Sequence, residues 1–463
     1  MKSVRLLPLI LLTAALLGWR FFFAAAHAEN APVGPVAPPA AAGYRVGAAQ
    51  QDITPDLTAG PVNLHCYGDR DKRPATGVLD PLHVRAVTIA DPHGKLVALV
   101  SADLCYINSE LRDRVVERLA PYGFDENNLL LAATHTHSGC ANYDRRWIVT
   151  KFFGDFQQRI FDHIVDGVVN AVIEAQRKMQ PATIEVASAE IEPMNRSRRD
   201  PAFDINTGTH PANVTADPVR YPTDRFLTLV RFVDANGKPI AVNVHYSSHA
   251  TILSPKNLQI SADWPGEMCA RVAEALGDGV IVSFFNGSEG DAAPLPDWAN
   301  DVQTEIAQMR QYGRRMAEHV LHVLPQTRPV HKQFVGGFTA RRNFDRVTMR
   351  FAWGITLPRW LTHQLASLRP DAPFQAMRVG DLVLLAVPGE PTTAVGKQLK
   401  ALVAADSLPL VIAPANDYLG YFTMPDEYAA GGYEADSTLF GPHAAQRVVD
   451  AMSVTLSNLE NSP

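Results

Sequence analysis

Between residues 84 and 133 the chain alternates between the two hydrophobic periodicities that define strands and helices. The patterns over residues 84–89 and 96–102 predict two strands. Residues 110–120 carry apolar side chains at helical spacing, and the apolar run over residues 128–133 predicts another strand. Strand, helix and strand in this order predict a β-α-β unit, because parallel neighbours need a long crossover connection.

The rest of the chain continues the same mixture of patterns. Asn236-Gly237 predicts a tight hairpin between two strands, and residues 156–176 predict a long amphipathic helix. Hydrophobic residues make up 46% of the chain, enough to bury one large core. We therefore predict an α/β fold, with a mixed sheet and flanking helices, in one domain over residues 45–463. The other predicted strands are residues 183–189, 226–233, 240–245, 280–285, 382–387 and 410–413, and the other predicted helices are residues 302–324 and 391–404.

Residues 1–28 have the three parts of a secretory signal peptide. A charged start precedes an apolar run over residues 6–17, and Ala26-His27-Ala28 is a small-residue cleavage motif. Residues 29–44 are rich in proline and alanine, which predicts a stiff linker. The sequence thus predicts a secreted or periplasmic protein. Arg20, late in the apolar stretch, leaves an uncleaved membrane anchor open as the alternative.

Charge and cysteine content argue against two classes of protein. The net charge is −6 and lysine and arginine form no stripe along the sequence, so nucleic acid is not an expected partner. The cysteines are too few and too scattered for a disulfide scaffold, and their spacing selects no pairing. They are Cys66, Cys105, Cys140 and Cys269.

The sharpest local signal is Thr134-His135-Thr136-His137-Ser138-Gly139, where an apolar strand runs out into a loop. Ligands and catalytic groups collect at such strand ends in α/β folds. Alternate residues of an extended stretch point the same way, so His135 and His137 can face one cavity, and neutral imidazole is a common zinc ligand. The alternative is a pair of histidines with structural roles, on the surface or in the core.

Four other predicted strand ends carry polar side chains. His249, or His245 near it, follows one strand, and the loop at residues 286–294 contains two carboxylates and follows another. Glu390 follows a third strand, although a charge at a helix N-terminus is a competing interpretation. Residues 416–421 follow a fourth. Strand ends that converge with histidine, glutamate and tyrosine predict a catalytic metal site.

Several short motifs, in their order and spacing, resemble one protein family. They are Gly47-Ala48-Ala49-Gln50-Gln51-Asp52-Ile53-Thr54-Pro55, Thr134-His135-Thr136-His137-Ser138-Gly139, Asn195-Arg196-Ser197, Pro388-Gly389-Glu390, Asn416-Asp417-Tyr418, Gly420-Tyr421 and residues 433–441. Together they resemble the catalytic domain of the neutral, non-lysosomal ceramidases over roughly residues 45–455. The resemblance implies a neutral ceramidase-like catalytic domain over residues 45–463, and we expect no C-terminal immunoglobulin-like domain after it.

The resemblance also implies roles for individual residues. Four residues match the family's zinc ligands, namely His135, His249, Glu390 and Tyr421. His137 and Arg196 match residues that line the reaction centre. Tyr433 matches a tyrosine that hydrogen-bonds the scissile carbonyl or its oxyanion. These roles suit metal-assisted hydrolysis, in which hydrogen-bond donors face the developing negative charge.

The most important departure from the family pattern is at a single position. Ceramidases carry a serine in an Asp-Val-Ser-Pro type sequence, where this chain has Asp291-Ala292-Ala293-Pro294. A covalent serine mechanism is therefore not available at Ala293. Attack by metal-bound water does not need that hydroxyl, and we favour it for this reason.

The residues and the resemblance together predict a zinc-dependent hydrolase that cleaves N-acyl amide bonds in a ceramide-like lipid. Another amide or an ester as substrate is the first alternative. The second is a non-catalytic lipid-binding relative that has lost the serine, and the intact His137, Arg196 and Tyr433 argue against it. A lipid-like substrate leaves peripheral membrane contact open, and the sequence predicts no oligomeric state.

Overall fold

The structure is a computed structural model, and it describes residues 43–209, 217–344, 350–351, 355–356, 369 and 371–461. The predicted signal peptide and almost all of the predicted linker lie outside the described residues. Among the described residues, no helix combines the length and the hydropathy that crossing a bilayer requires.

Strands and helices alternate along much of the chain. The strands of the described residues are Tyr44–Asp52 (β1), Gly77–Val78 (β2), His83–Ala90 (β3), Leu96–Ala102 (β4), Leu129–Ala133 (β5), Gln180–Glu190 (β6), Asn195–Ser197 (β7), Phe226–Asp234 (β8), Pro239–Tyr246 (β9), Gln259–Ile260 (β10), Ile281–Asn286 (β11), Ala292–Pro294 (β12), Arg328–Pro329 (β13), Val335–Asn343 (β14), Arg350–Phe351 (β15), Ile355–Thr356 (β16), Asp371–Val379 (β17), Leu382–Ala386 (β18), Glu390–Pro391 (β19), Leu408–Ile412 (β20) and Tyr421–Phe422 (β21). Their α-helices are Ser109–Leu119 (α1), Trp147–Phe153 (α2), Gln158–Arg177 (α3), Asp263–Leu276 (α4), Val302–Val323 (α5), Thr393–Lys400 (α6), Pro425–Ala430 (α7), Tyr433–Asp436 (α8) and Ala444–Asn461 (α9).

A large mixed sheet forms the centre of the described part of the fold. Its order is β11-β9-β8-β6-β1-β3-β4-β5, and β13 pairs with β6. The pairs β4–β5 and β9–β11 are parallel, and the other pairs are antiparallel. The segment from β4 through α1 to β5 is the predicted β-α-β unit, and Asn236-Gly237 connects β8 to β9 as predicted. The predicted α/β fold with a mixed sheet and flanking helices is confirmed.

A second sheet, in the order β14-β17-β18-β20, packs on the large one. A single apolar cluster joins the two sheets, with Val87 and Leu99 from the large sheet and Leu384 and Leu410 from the small one. This cluster is buried, so the hydrophobic effect holds the two sheets together: their apolar side chains are removed from water where the sheets meet. The carboxyl ends of β5, β9 and β18 are thereby brought towards one region.

Helices cover the opposite side of the large sheet. The helix α3 packs on β1 and β3 through apolar side chains such as Ile164 and Val168. Gly47 in β1 permits this close approach, because a Cβ atom there would lie 2.0 Å from the carbonyl oxygen of Ala175. Two further helices, α4 and α5, pack together; α4 covers β11 around the buried Trp264, and α5 contacts β6 and β8.

Some elements differ from the sequence-based expectation. The helix predicted over residues 391–404 is the shorter α6, because Glu390 and Pro391 pair with Tyr421 and Phe422 as strand β19. The helices α2, α4, α7, α8 and α9 and the long strands β1, β14 and β17 were not predicted, nor were the strands of two or three residues.

Cys66 and Cys105 form a disulfide bond, while Cys140 and Cys269 are buried thiols. The bond joins the loop between β1 and β2 to the loop that follows β4. It therefore decides a pairing that the sequence left open, and it lies beside the strand ends where the polar residues gather.

Candidate metal centre

Four predicted ligands come together at the ends of separate strands. His135 follows β5 with a left-handed backbone (φ 67°), and His249 follows β9. Glu390 and Tyr421 lie opposite each other in the parallel pair β19–β21. Because the sheets bring these strand ends to one place, residues far apart in the sequence share one buried cluster.

The spacing of the polar atoms matches a tetrahedral metal site. Nε2 of His135 lies 3.4 Å from Oε2 of Glu390, and Nε2 of His249 lies 3.1 Å from the same oxygen. Nε2 of His249 is also 3.4 Å from the Tyr421 hydroxyl. Two ligand atoms on a tetrahedral metal with bonds of about 2.0–2.1 Å are separated by about 3.3 Å. These three separations therefore fit ligand atoms around a single ion.

Backbone carbonyl groups fix the orientation of both imidazoles. Nδ1 of His135 lies 2.6 Å from the carbonyl oxygen of Cys105, and Nδ1 of His249 lies 2.8 Å from that of Glu289. A nitrogen in such a position donates its N–H, so the Nε2 atom of each ring carries a lone pair. Both lone pairs face the centre of the cluster.

Glu390 contributes the carboxylate oxygen that faces both imidazoles of the cluster. Its Oε1 accepts a hydrogen bond from the Tyr418 hydroxyl, while its buried Oε2 has no hydrogen-bond donor. That oxygen and the two Nε2 atoms are acceptors that face one another. A buried carboxylate oxygen that lacks a donor and faces other acceptors is costly unless a cation lies between them, so the ligand set fits a metal ion.

The protonation states are also those that a metal requires. Burial and, to a lesser extent, the nearby Arg198 lower the pKa of His249 to about 3. Burial would raise the pKa of Glu390, but His135 and His249 outweigh it and hold this pKa well below its usual value. Burial and Glu390 raise the pKa of the Tyr421 phenol well above its usual value, and a cation bound beside it would oppose that effect. At neutral pH the imidazole and the carboxylate are therefore ready to bind.

The three predicted catalytic residues surround this cluster at different distances. Nε2 of His137 lies 3.3 Å from Nε2 of His135. The ring of Tyr433 is 5.5 Å from that of Tyr421. Arg196 is set back from both, because its guanidinium pairs with Asp297 at 2.6 Å and lines the adjoining cavity.

Two cavities of about 250 Å³ each open onto the cluster. One is mainly apolar and reaches Glu390 and Tyr421; its wall includes Ile148, Val149, Phe153 and Leu439. The other is more polar; its wall includes Arg196, Arg198, Asn206 and Trp298. His137 and Tyr433 line both cavities, so a molecule that extends through the two passes directly by these side chains.

Comparison with known proteins identifies the family. The model of the family described as neutral/alkaline non-lysosomal ceramidase, N-terminal, matches residues 44–344 and 355–450. The chain belongs to this ceramidase family. Two similar relatives are the neutral ceramidases of Pseudomonas aeruginosa, 25% identical over 89% of this chain and 72% of the relative, and of Mycobacterium tuberculosis, 26% identical over 86% and 74%.

Solved ceramidase structures share the fold. The neutral ceramidase from Pseudomonas aeruginosa aligns with a TM-score of 0.76 at 25% identity, over 90% of this chain and 75% of that one. A ceramidase complexed with C2 aligns with a TM-score of 0.78 at 24% identity, over the same shares of the two chains. The resemblance inferred from the sequence motifs is thus confirmed for most of the chain.

Ala293 lies in the wall of the polar cavity of this ceramidase-family chain. It is buried in strand β12, where it pairs with Arg196 of β7. His137, Arg198 and Tyr433 line the same cavity. Ala293, the position where the resemblance leads us to expect a serine, thus lies in the same cavity wall as these three side chains and presents only a methyl group there.

Arg198 is the residue at this centre that the sequence analysis missed. Its side chain is only 8% exposed, and its Nη1 and Nη2 atoms lie 3.2 Å from Nε2 of His249 and from the Tyr421 hydroxyl, respectively. The available signal is that Arg196 and Arg198 are two positions apart. In an extended segment both side chains point the same way, so either arginine can face the centre. The ceramidase resemblance pointed to Arg196 alone.

We expect His65, in the wall of the apolar cavity, to make the protein acid-sensitive. Burial lowers its pKa to about 3, so the unfolded chain binds a proton below about pH 6.5 that the folded chain does not. Stability is therefore lost as pH falls below 6.5. When the pH falls from 7 to 5, wild type should lose about 2 kcal/mol more in free energy of unfolding than His65→Gln loses, as measured by urea denaturation. Parallel pH profiles for the two proteins would contradict the prediction.

Proposed function

We propose that this chain is a zinc-dependent hydrolase of N-acyl amide bonds in ceramide-like lipids. The observation that carries the proposal is the set of inward-facing acceptor atoms of His135, His249 and Glu390 beside an apolar cavity. Membership of the ceramidase family supports the reaction class.

The nature of the ligands favours zinc as the metal. Two imidazole nitrogens, a carboxylate and a phenol at tetrahedral spacing suit Zn²⁺ better than the harder cations, which prefer six or more oxygen ligands. His135, His249, Glu390 and Tyr421 would hold the ion. When bound there, zinc polarises a carbonyl oxygen and lowers the pKa of water to about 7.

His137 is placed to move the proton that hydrolysis transfers. It lies next to the cluster and at the junction of the two cavities, so its Nε2 atom can reach both the attacking water and the leaving nitrogen. Burial, with His135 and His249 nearby, holds its pKa well below the usual value. A proton taken there is therefore passed on to the leaving amine rather than retained.

Tyr433 supplies a donor for the carbonyl oxygen. Its ring lies at the edge of both cavities and 5.5 Å from the Tyr421 ring, so its hydroxyl can face an amide held at the junction. Arg196, held by Asp297, contributes positive charge to the polar cavity. A donor aimed at the developing oxyanion typically contributes about 100- to 1,000-fold in rate.

The apolar cavity and its rim favour a lipid substrate. Ile148, Val149 and Phe153 of helix α2 line the cavity, while Trp147 and Phe152 of the same helix are 51% and 49% exposed. An aromatic rim of this kind suits peripheral contact with a lipid surface. Such contact, in an exported protein, would deliver the chain of the substrate directly into the cavity.

Hydrolysis of a fluorescent N-acyl sphingosine, with metal content measured in parallel, tests the proposal. The wild-type protein is expected to bind about one zinc per chain and to cleave the amide. His135→Ala should lose both properties, while the exposed control His93→Ala should keep them. A protein that binds zinc but leaves the amide intact would instead favour another amide, an ester or a binding role.

Ala293→Ser separates the two mechanisms that the family pattern allows. If water is the nucleophile, a hydroxyl added to the cavity wall is not needed, and kcat should stay within about tenfold of the wild-type value. The measurement is steady-state hydrolysis of the same lipid. A wild-type protein that is inert and gains turnover in Ala293→Ser would show that the natural substrate or role has moved away from ceramide.

A further inference from the structure

We infer that Arg198 changes partner when the metal binds: its Nη1 group donates to His249 in the metal-free protein and is released towards the substrate carbonyl in the loaded one. This inference rests on the proposed metal site. It concerns an arginine two positions from the one that the family resemblance selects.

One side of the Arg198 guanidinium is anchored firmly. Nε lies 3.2 Å from Oε1 of Glu434, and Nη2 donates to the carbonyl oxygen of Gly290 at 2.5 Å and to the Tyr421 hydroxyl at 3.2 Å. Arg199 also pairs with Glu434 at 3.2 Å, so the carboxylate that holds Arg198 is itself fixed. A guanidinium anchored through Nε and Nη2 has only its Nη1 group available for exchange.

That remaining group competes directly with a metal ion. Nη1 of Arg198 lies 3.2 Å from Nε2 of His249, whose Nδ1 is already committed to the Glu289 carbonyl. A neutral imidazole in this tautomer offers one lone pair, which accepts either an N–H or a metal ion but not both. Metal binding at His249 must therefore break the hydrogen bond from Arg198.

The released N–H groups point to where a substrate would lie. Arg198 lines the polar cavity together with His137, Ala293 and Tyr433. Its guanidinium carbon is 5.3 Å from the centre of the Tyr433 ring, so the two side chains border the same space. Once free of His249, Nη1 can donate to the carbonyl oxygen that Tyr433 also faces. The fixed anchors keep it there without further reorganisation.

The inference predicts opposite effects on metal affinity and turnover, which a purely structural role would not produce. Arg198→Met removes a competitor for the His249 lone pair and a like charge, so zinc affinity should rise about tenfold or more. The same change removes a donor to the substrate, so kcat should fall about 100-fold. A residue that merely supports the fold would weaken both when replaced.

Zinc affinity is measured by competition with a chromophoric chelator in the absence of substrate, and kcat is measured separately. Arg196→Met is the matched control, and its zinc affinity should equal that of wild type because Asp297 holds Arg196 away from His249. If Arg198→Met does not fold, Arg198→Lys replaces it, since an ammonium can pair with Glu434 but lacks the fork that reaches His249. It too should tighten zinc binding.

Unchanged or weaker zinc binding in the folded Arg198 variant would overturn the inference, as would equal tightening in Arg196→Met. The affinity readout needs no turnover, so the result stands apart from the proposed substrate. An enzyme that cleaves no ceramide can still show the exchange of partners, and an active ceramidase can still fail to show it.

Discussion

Glu390→Gln is expected to lose its bound metal and at least about a thousandfold in turnover. The substitution preserves size and removes only the negative charge that the two imidazoles face. Oε2 of Glu390 lies 3.4 and 3.1 Å from the Nε2 atoms of His135 and His249, so it is shared by both sides of the cluster. A neutral amide at this position neutralises no charge on the ion. It can also place an N–H donor among the acceptor atoms that must bind the ion.

The measurement is metal content by mass spectrometry of the purified protein, alongside lipid amide hydrolysis. Glu305→Gln is the matched control, because Glu305 is also fully buried but accepts a hydrogen bond from the Ser254 amide, outside the cluster. It should keep both metal and activity. Stoichiometric metal in Glu390→Gln would remove this carboxylate from the ligand set.

Trp264→Ala is expected to have the largest effect on stability, a loss of about 3–5 kcal/mol in the free energy of unfolding. The fully buried indole lies 4.8 Å from the Phe284 ring and 5.2 Å from the Tyr312 ring, so alanine leaves a cavity between α4, α5 and β11. Its Nε1 also donates to the carbonyl oxygen of His249 at 2.9 Å. Metal affinity should therefore fall together with stability.

Urea denaturation of the metal-free protein measures the first effect, and chelator competition measures the second. Trp147→Ala is the control for the same change of side chain at a position that is 51% exposed, and it should cost less than about 1 kcal/mol. Similar losses in the two variants would mean that the core around Trp264 contributes no more than the surface does.

The position of the candidate metal centre was predictable because each proposed ligand follows an apolar strand. The runs before His135, His249 and Glu390 read clearly as strands, and α/β folds gather polar groups where strands end. The pattern could not predict how deeply each of these side chains is buried or which residues it contacts. That depends on contacts between residues more than 100 positions apart, such as the pairing of Glu390 with the histidines.

The two longest of the helices that were not predicted, α4 and α9, were missed for different physical reasons. The helix α4 carries Pro265 and Gly266 in its first turn, and both residue types usually interrupt helices, although proline is tolerated at that position. The helix α9 does carry the required spacing, with buried Val448, Met452 and Leu456 on one face. Its prediction was therefore within reach of the sequence, unlike that of α4.

The choice between Arg196 and Arg198 was beyond the sequence. Strand β7 ends at Ser197, and the chain then turns so that the Arg198 amide bonds to the carbonyl oxygen of Asp291. The partner that decides the matter, Glu434, lies 236 positions along the chain. A local pattern contains no information about an ion pair over that distance.

The Cys66–Cys105 disulfide links the oxidation state of the chain to the candidate metal centre. The carbonyl oxygen of Cys105 accepts the Nδ1 hydrogen of His135 at 2.6 Å, so the crosslinked backbone also orients a ligand. Reduction and metal binding then form a thermodynamic cycle. If the disulfide raises metal affinity by some factor, bound metal must raise the equilibrium constant for disulfide formation by the same factor. Chelation should therefore make this bond easier to reduce.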